Sequence, residues 1–380
     1  MKTCMFPGQG SQVRGMGGAL FDEFPELTAQ ADAILGYSIK ELCLEDPRKE
    51  LDNTRFTQPA LFVVNALSYY KRLQETGAKP DYLAGHSLGE FNALLAAECF
   101  SFETGLKLVR KRGQLMSQVS GGGMAAVLNS TPEQIEAVLK ENGLANVELA
   151  NFNTPTQIVI SGLKDEVTAA QPLLQKGRVL FFPLNTSGAF HTRFLGEAQQ
   201  EFRAFLQTFT LSAPTIPVIS NVTARPYEND AVVETLARQI ASPVRWSDSV
   251  QYLLALAGSD DPMQFEECGH GDVLTRLVKS IRDYNAKNAP KTAEVPVKAA
   301  PVVVATAAAA ANAAAGGLSA EQKVAAWNQR HAIGTRVRSQ LMGDAALETR
   351  TEALVLFGHR AAVYLKGYNG YFDIDEIAPA

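Results

Sequence analysis

The segment Tyr82-Leu83-Ala84-Gly85-His86-Ser87-Leu88-Gly89-Glu90 runs from a short apolar stretch into the apolar-faced residues 91–97. A serine with one glycine two positions before it and another two positions after it is typical of a nucleophile elbow, a tight turn from a strand into a helix. Such a turn lifts the serine Oγ into a cleft at the helix N-terminus, where developing negative charge is stabilised. We therefore predict that Ser87 is a nucleophile, with an ordinary Gly-Ser turn as the alternative.

The chain around this segment alternates strand and helix patterns. A strand is predicted over 3–6, and the apolar spacing over 58–73 predicts a helix that leads into a strand at 82–84. Alternation of this kind is typical of a parallel sheet covered by helices. We predict a large α/β domain formed by residues 1–123 and 188–283.

Between these two parts the pattern changes to strand, helix, strand, strand, helix, strand. This order is the signature of a ferredoxin-like unit. We therefore predict that residues 124–187 form a small ferredoxin-like subdomain inserted in the large domain. Its predicted elements lie at 124–128, 131–141, 147–150, 157–160, 165–175 and 178–182.

The composition changes sharply after Arg282, where three prolines follow within twenty residues. Over 299–315, eleven of the seventeen residues are alanine, which supplies no varied apolar side chains for a core. We predict an Ala/Pro-rich linker over 284–319. Residues 320–380 then form a C-terminal extension with a helical start and short strands, and we expect it to serve in docking or oligomerisation.

Composition and charge exclude several classes of protein. The 380 residues are 46% apolar, and 35 Lys plus Arg against 40 Asp plus Glu leave a net charge of −5. A mildly acidic chain offers no broad basic surface for nucleic acid, and its alanine-rich stretch is too interrupted for a membrane helix. The four cysteines are widely spaced and the N-terminus has no secretory pattern, which indicates a reduced, cytoplasmic protein.

A serine nucleophile needs a general base. Three of the five histidines are poorly placed, because one adjoins Ser87 and two lie beyond the linker: His86, His331 and His359. That leaves His191, where the chain returns to the large domain, and His270, in a glycine-rich turn. The group that orients the base stays open, since a backbone carbonyl can serve and so can four nearby carboxylates: Asp248, Glu266, Glu267 and Asp272.

Three motifs together resemble those of the malonyl-CoA:acyl carrier protein transacylases: Phe6-Pro7-Gly8-Gln9-Gly10-Ser11-Gln12, Gly85-His86-Ser87-Leu88-Gly89-Glu90 and Ala189-Phe190-His191-Thr192. The resemblance covers residues 1–283 and is closest to the free-standing acyltransferases that serve modular polyketide synthases in trans. It implies an α/β-hydrolase-like large domain with a ferredoxin-like insertion. Further matching stretches are Thr57-Gln58-Pro59-Ala60, Asn153-Thr154-Pro155, Ser220-Asn221-Val222-Thr223 and residues 239–246.

The resemblance assigns catalytic roles to matching residues. It implies that Ser87 attacks a thioester carbonyl, with His191 as its general base. The backbone N–H groups of Gln9 and Leu88 match the oxyanion hole. Many members carry Asn where this chain has Ser242, and we expect the main-chain carbonyl of that residue to orient the catalytic histidine.

The resemblance also implies the substrates. Arg112 matches the arginine that pairs with the malonyl carboxylate, since a planar guanidinium offers two parallel hydrogen bonds. Gln58 is implied beside it in the substrate site. Phe190 matches the bulky residue of malonyl-selective members, which leaves little room for a 2-methyl branch. The implied partners are malonyl-CoA and the acyl carrier protein domains of a polyketide synthase, with no metal or other cofactor.

Two other functions stay open: an acyl hydrolase of the same fold that clears stalled acyl groups, and a non-catalytic scaffold for carrier proteins. Arg112 argues against the hydrolase, because an enzyme that acts on varied acyl chains has no use for a carboxylate clamp. The set of Ser87, His191 and Gln9 argues against the scaffold. Since carrier proteins are usually acidic, as this chain is, we expect docking to depend on local basic patches or apolar contacts.

Overall fold

The computed structural model describes residues 1–186, 188–258, 261–288, 320–339, 347–349, 352–356, 360–366 and 371–379. The chain divides into two compact units, Met1–Ala293 and Glu294–Ala380. Among the helices of these described residues, none has the length and apolar character needed to cross a membrane.

Strands and helices alternate through the first unit. Its strands are β1 (Lys2–Phe6), β2 (Tyr82–Gly85), β3 (Gly122–Leu128), β4 (Val147–Thr154), β5 (Gln157–Leu163), β6 (Leu180–Leu184), β7 (Val218–Ile219) and β8 (Gln264–Glu267). Its α-helices are α1 (Leu20–Glu23), α2 (Pro25–Leu35), α3 (Ile39–Leu44), α4 (Thr54–Thr76), α5 (Gly89–Ala96), α6 (Phe102–Gln118), α7 (Pro132–Glu141), α8 (Lys164–Leu174), α9 (Gly196–Leu206), α10 (Val232–Gln239), α11 (Trp246–Leu256) and α12 (Val273–Asn288).

The sheet of the large domain is parallel, with strand order β7-β2-β1-β8. This confirms the prediction from the alternating pattern. Its centre is apolar: Cys4, Phe6 and Leu83 are buried in one cluster with the facing sides of α4, α5 and α6. Because Phe6 is in register with Gly85, the loop that leaves β1 and the turn that leaves β2 meet at the same edge of the sheet.

The sheet of the inserted subdomain, called the small sheet below after its subdomain, is antiparallel, with strand order β4-β5-β3-β6. Helices α7 and α8 cover one face of it, where Ile135 and Val167 are buried against Val127 and Ile158. The predicted ferredoxin-like unit is therefore confirmed. Its strands run somewhat longer than the apolar pattern indicated, since β4 continues to Thr154 and β5 to Leu163.

The predicted end of the large domain at 283 falls inside a helix. Helix α12 continues to Asn288, although its buried stripe of Leu274, Val278 and Ile281 has already ended. The apolar pattern stops at Ile281, whereas nothing in the sequence obliges the helix to stop before Pro290. The rest of the predicted linker, residues 289–319, lies outside the described residues.

The first element among the described residues of the second unit is helix α13 (Ala320–Asn328). The strands described after it are β9 (Arg336–Ser339), β10 (Leu347–Glu348), β11 (Leu354–Leu356), β12 (Arg360–Tyr364), β13 (Tyr371–Asp373) and β14 (Ile377–Pro379). They form two antiparallel three-stranded sheets, ordered β10-β9-β14 and β11-β12-β13. A small apolar cluster that includes Val337, Val363 and Leu365 packs against Trp327 of α13. The helical start and the short strands agree with the prediction.

Three glycines let the end of β1, the end of β2 and the start of α5 pack at backbone distance. A Cβ on Gly89 would lie 2.0 Å from the carbonyl oxygen of Phe6, and one on Gly8 would lie 2.3 Å from the carbonyl oxygen of His86. A Cβ on Gly85 would lie 2.0 Å from the carbonyl carbon of Gly89. Each contact is with backbone, which cannot move aside as a flexible side chain would.

Replacing Gly89 with alanine tests this packing. Because the new methyl group meets the β1 backbone, we expect a loss of about 2 kcal/mol or more in stability, seen as a lower melting temperature in differential scanning calorimetry. The control is Gly196→Ala, since a Cβ there meets nothing within 4 Å. Equal melting temperatures for the two variants would contradict the packing argument.

Candidate active site

Ser87 lies in the turn between β2 and α5 with a left-handed backbone, φ 51°. This conformation is strained for a residue with a side chain, and it is the one that a nucleophile elbow requires. The side chain of Asn221 holds the turn from both sides: its Nδ2 donates to the carbonyl of Gly85 at 2.7 Å, and its Oδ1 accepts from the N–H of Ser87 at 2.7 Å.

His191 lies beside the serine. Its Nε2 is 2.8 Å from Ser87 Oγ, and its own backbone is also left-handed, φ 61°. Its Nδ1 is 3.1 Å from two main-chain carbonyl oxygens, those of Gln239 and Ser242. Gln239 is the last residue of α10, so the imidazole Nδ1–H donates to a carbonyl at the negative end of a helix. This contact selects the tautomer in which Nε2 accepts the Ser87 proton.

The alternatives left open by the sequence are placed elsewhere. Each candidate carboxylate has another partner: Asp248 pairs with Arg245, Glu266 with Arg72, Asp272 with Arg276, and Glu267 accepts from the backbone of Leu274 and Thr275. His86 bonds Asn153 Oδ1 at 2.8 Å through its Nε2. Within the described residues, His191 alone among the histidines is hydrogen-bonded to Ser87.

Burial lowers the pKa of His191 to about 3, and the positive charge of Arg112 is the next largest cause. The carbonyls of Gln239 and Ser242 act in the opposite direction, because they favour the protonated ring. The imidazole is therefore neutral throughout the physiological pH range. A neutral imidazole is the form that a general base needs.

Two backbone N–H groups point to an oxyanion hole. In the loop after β1, the N–H groups of Gly10 and Ser11 are taken by Gln12 Oε1 and by the carbonyl of Gly8, at 2.7 and 3.2 Å. Across the described part of the chain, no acceptor is paired with the N–H of Gln9 or with that of Leu88. Both residues border the pocket at Ser87, so both donors are available to a developing negative charge.

Arg112 of α6 is buried and lines the same pocket. Its Nη1 donates to Gln58 Oε1 at 2.8 Å, and its Nη2 donates to Gln239 Oε1 at 2.9 Å and to Ser87 Oγ at 3.2 Å. Burial lowers the pKa of Arg112 to about 10, so that the guanidinium keeps its charge at neutral pH. The neighbouring cations on α6 are not part of this pocket: Lys111 pairs with Glu201, and Arg110 is exposed.

The site includes residues that the sequence analysis did not select. Gln239 is hydrogen-bonded to Ser87, His191 and Arg112. Besides its contacts with His191 and Arg112, its Nε2 donates to the carbonyl of Ser87 at 2.6 Å. Behind it, the carboxylate of Glu90 accepts from Gln239 Nε2, from the N–H of Asn221 and from the hydroxyl of Tyr227. Burial raises the pKa of Glu90 to about 7 against the opposing effect of these hydrogen bonds. Glu90, Asn221 and Gln239 all lie in quoted motifs, but nothing in the motifs shows that they meet.

The remaining walls of the pocket are mostly apolar. Phe190 is buried with Met116 and Met124 in one cluster, and all three line the pocket. Gln58 lines it as well, and its Nε2 donates to Met116 Sδ at 3.2 Å. The structure thus brings Gln58, Arg112 and Phe190 to one pocket beside Ser87. In the described residues, no group of three or more His, Cys, Asp and Glu side chains is arranged to hold a metal.

A parallel α/β sheet with a serine elbow, a paired histidine and two free N–H donors defines a class of enzymes that transfer acyl groups through serine. The chain matches the acyl transferase domain family over residues 3–298, and it belongs to this family.

Relatives of known structure or function support the same class. The polyketide biosynthesis malonyl CoA-acyl carrier protein transacylase PksC of Bacillus subtilis is 56% identical over 284 residues, which span 74% of this chain and 97% of the relative. A crystal structure of malonyl CoA-acyl carrier protein transacylase from Burkholderia pseudomallei is 62% identical, with a TM-score of 0.74, and covers 76% of this chain and 99% of that one. In a structure of a type II PKS acyl-carrier protein in complex with its malonyl-transacylase, the matching chain is 32% identical, with a TM-score of 0.70, over 74% of this chain and 93% of that one.

Replacing Arg112 with glutamine tests the electrostatic coupling inside the pocket. Loss of the guanidinium charge removes the second largest cause of the low pKa of His191, so we expect that pKa to rise. The measurement is the pH dependence of the His191 ring shifts by NMR. Lys111→Gln is the matched control, since this cation is one residue away and paired with Glu201. An equal His191 pKa in both variants would count against the coupling.

Proposed function

We propose that this enzyme moves a malonyl group from malonyl-CoA to the phosphopantetheine thiol of an acyl carrier protein, in trans, for polyketide biosynthesis. The observation that carries the proposal is the buried Arg112 guanidinium, 3.2 Å from Ser87 Oγ in the pocket that also holds His191. A buried cation whose hydrogen-bond partners are neutral oxygens favours an anionic substrate group there. The free carboxylate of malonate is such a group.

In the first half-reaction, Ser87 Oγ attacks the thioester carbonyl carbon and His191 Nε2 takes the hydroxyl proton. The N–H groups of Gln9 and Leu88 donate to the oxyanion, and one such donor contributes roughly 10² to 10³ in rate. When the tetrahedral intermediate collapses, the carbon–sulfur bond breaks and His191 gives its proton to the departing CoA thiolate, which leaves as the thiol. Malonyl-Ser87 remains.

The second half-reaction runs the same steps in reverse with a new thiol. The phosphopantetheine thiol of the carrier gives its proton to His191 Nε2, and its sulfur attacks the ester carbonyl of malonyl-Ser87. Collapse breaks the bond to Ser87 Oγ, which regains the proton from His191. The proposed reaction is balanced without a metal or other cofactor.

The malonyl carboxylate also affects the pKa of His191, the proposed general base. When it pairs with Arg112, it offsets the positive charge that holds the pKa of His191 down. The correct substrate therefore makes the imidazole a stronger base. Phe190, buried in the pocket wall, limits the space beside the acyl group, and exclusion of one methyl group contributes about 1 to 3 kcal/mol to selectivity.

The two other candidate functions fit the site less well. A hydrolase of varied acyl chains would gain nothing from a buried arginine held by Gln58 and Gln239. A scaffold would not need a strained serine within hydrogen-bond distance of a buried histidine. We also infer a reducing compartment, the cytoplasm, because Cys4, Cys43, Cys99 and Cys268 are all free thiols.

Mass spectrometry with malonyl-CoA alone tests the nucleophile. We expect one malonyl group on Ser87, stable until a thiol acceptor is added, and none on Ser87→Ala. Ser117→Ala, at the C-terminal end of α6, is the control and should acylate normally. Malonylation that persists in Ser87→Ala would overturn the assignment, and free malonate released faster than carrier is acylated would favour the hydrolase.

We propose further that the C-terminal extension acts in docking or oligomerisation. The relative PksC is covered over 97% of its length by 284 residues of this chain, so a body of that size accounts for nearly all of that protein. A protein cut near Gly317 should therefore still malonylate Ser87, but it should lose rate with some carrier proteins or change its oligomeric mass in light scattering. If the shortened protein transferred malonyl groups to every carrier protein at the full rate and kept the same oligomeric mass, this proposal would be wrong.

A further inference from the structure

Strand β6 exposes a row of large apolar side chains. Leu180, Phe182 and Leu184 are 43%, 49% and 38% exposed, and they alternate along the strand. Alternate residues of a strand point to the same side of the sheet. Together they form one apolar row on an edge strand, which we name the β6 stripe.

The stripe lies on the side of the small sheet away from its helices. Phe181, between the first two stripe residues, is buried in the cluster with α7 and α8, so its neighbours face the other way. The register places Leu180 beside Leu128, Phe182 beside Ala126 and Leu184 beside Met124. On β3, Leu128 and Ala126 are half-buried and Met124 is buried with Met116 and Phe190, so the exposed apolar surface is that of β6 itself.

One end of the stripe reaches the active site. Leu184 lines the pocket that contains Ser87 and His191. From there the stripe runs outward to Leu180, a distance of about 13 Å at the usual rise of a strand. Large exposed apolar surface that continues from a catalytic pocket is typical of a binding surface.

The outer end of the stripe is basic. Lys176 and Arg178, in the turn that leads into β6, are exposed, and neither forms an ion pair with the described residues. The chain as a whole carries a net charge of −5. This turn is thus a local exception that suits an acidic partner.

We propose that the β6 stripe, with Lys176 and Arg178, is the surface on which the holo carrier protein docks. The proposal rests on the proposed function. A carrier delivers its thiol on a flexible arm while its folded body stays outside, so the body must sit at the mouth of the pocket, where the stripe begins. A second copy of this chain bound there permanently would obstruct the pocket to both thioester substrates.

The variants Phe182→Glu and Arg178→Glu test the surface, since both residues lie outside the pocket lining. We expect kcat/KM for a purified holo acyl carrier protein to fall by about tenfold or more, mainly through KM, as for other central interface residues. Malonylation of Ser87 by malonyl-CoA, and transfer to free pantetheine, should keep wild-type rates. Those two rates also report that the variants are folded.

Two controls place the same charge elsewhere on the first unit. Leu256→Glu changes an exposed apolar residue at the end of α11, and Lys140→Glu changes a cation on α7, a helix that covers the opposite side of the small sheet. Both should transfer to the carrier at wild-type rates. If Phe182→Glu and Arg178→Glu match these controls, the surface is wrong, and a change in oligomeric mass without a change in carrier kinetics would instead make it a contact between copies.

Carrier affinity separates this proposal from the function itself. In a Ser87→Ala background, calorimetric titration with the holo carrier should show weaker binding when Phe182→Glu is added. If Phe182→Glu did not weaken carrier binding, the proposed docking surface would be wrong, even with the proposed acyl transfer correct. Failure of the wild-type protein to malonylate Ser87 would overturn the function, and loss of carrier affinity in Phe182→Glu would still support the surface.

Discussion

The left-handed backbone of Ser87 is the constraint around which the rest of the site is arranged. A non-glycine residue in that conformation costs about 1 to 3 kcal/mol and persists only where its surroundings over-determine it. Glycine contacts at 8, 85 and 89 bring β1, β2 and α5 within backbone distance, and Asn221 bonds both sides of the turn. The same geometry aims Ser87 Oγ at His191 and leaves the N–H of Leu88 unpaired at the first turn of α5. The proposed nucleophile and one proposed oxyanion donor thus come from one strained turn.

Three buried titratable groups, Glu90, Arg112 and His191, interact electrostatically beside the pocket. Arg112 lowers the pKa of His191, whereas Glu90 supports the charge of Arg112 from behind Gln239. Gln239 connects them all: its carbonyl accepts from His191, its Oε1 from Arg112, and its Nε2 donates to Ser87 and Glu90. In the proposed reaction, a substrate carboxylate paired with Arg112 therefore changes the environment of His191 without touching it. Gln239 holds the two groups in place, since it is hydrogen-bonded to both.

The features that depend on short stretches of sequence could be predicted. The elbow, the parallel alternation and the ferredoxin-like order were visible because they rest on spacing within short windows. The residues alone left the orienting group open, since a main-chain carbonyl has no residue signature, and only the resemblance implied Ser242. In the structure the carbonyls of Ser242 and Gln239 both lie 3.1 Å from His191 Nδ1. Glu90 and Gln239 are 149 residues apart, so their contact exists only once α5 and α10 are packed. The end of α12 was missed because its buried stripe stops at Ile281 while the helix continues.

The position of the inserted subdomain suits a pocket that serves two thiols in turn. In the proposed reaction CoA and the carrier both bring sulfur to Ser87, so the proposed contacts at Arg112 and Phe190 select the acyl group and do not distinguish the two thiols. Discrimination must lie outside the pocket, where CoA ends in a nucleotide and the carrier in a folded protein. The small sheet supplies both regions, since Met124 and Leu184 line the pocket while Phe182 and Leu180 extend outward from it. Under the proposed function, the pocket at Arg112 and Phe190 selects the acyl group, and β6, which leads out of that pocket, is the proposed surface that selects the thiol.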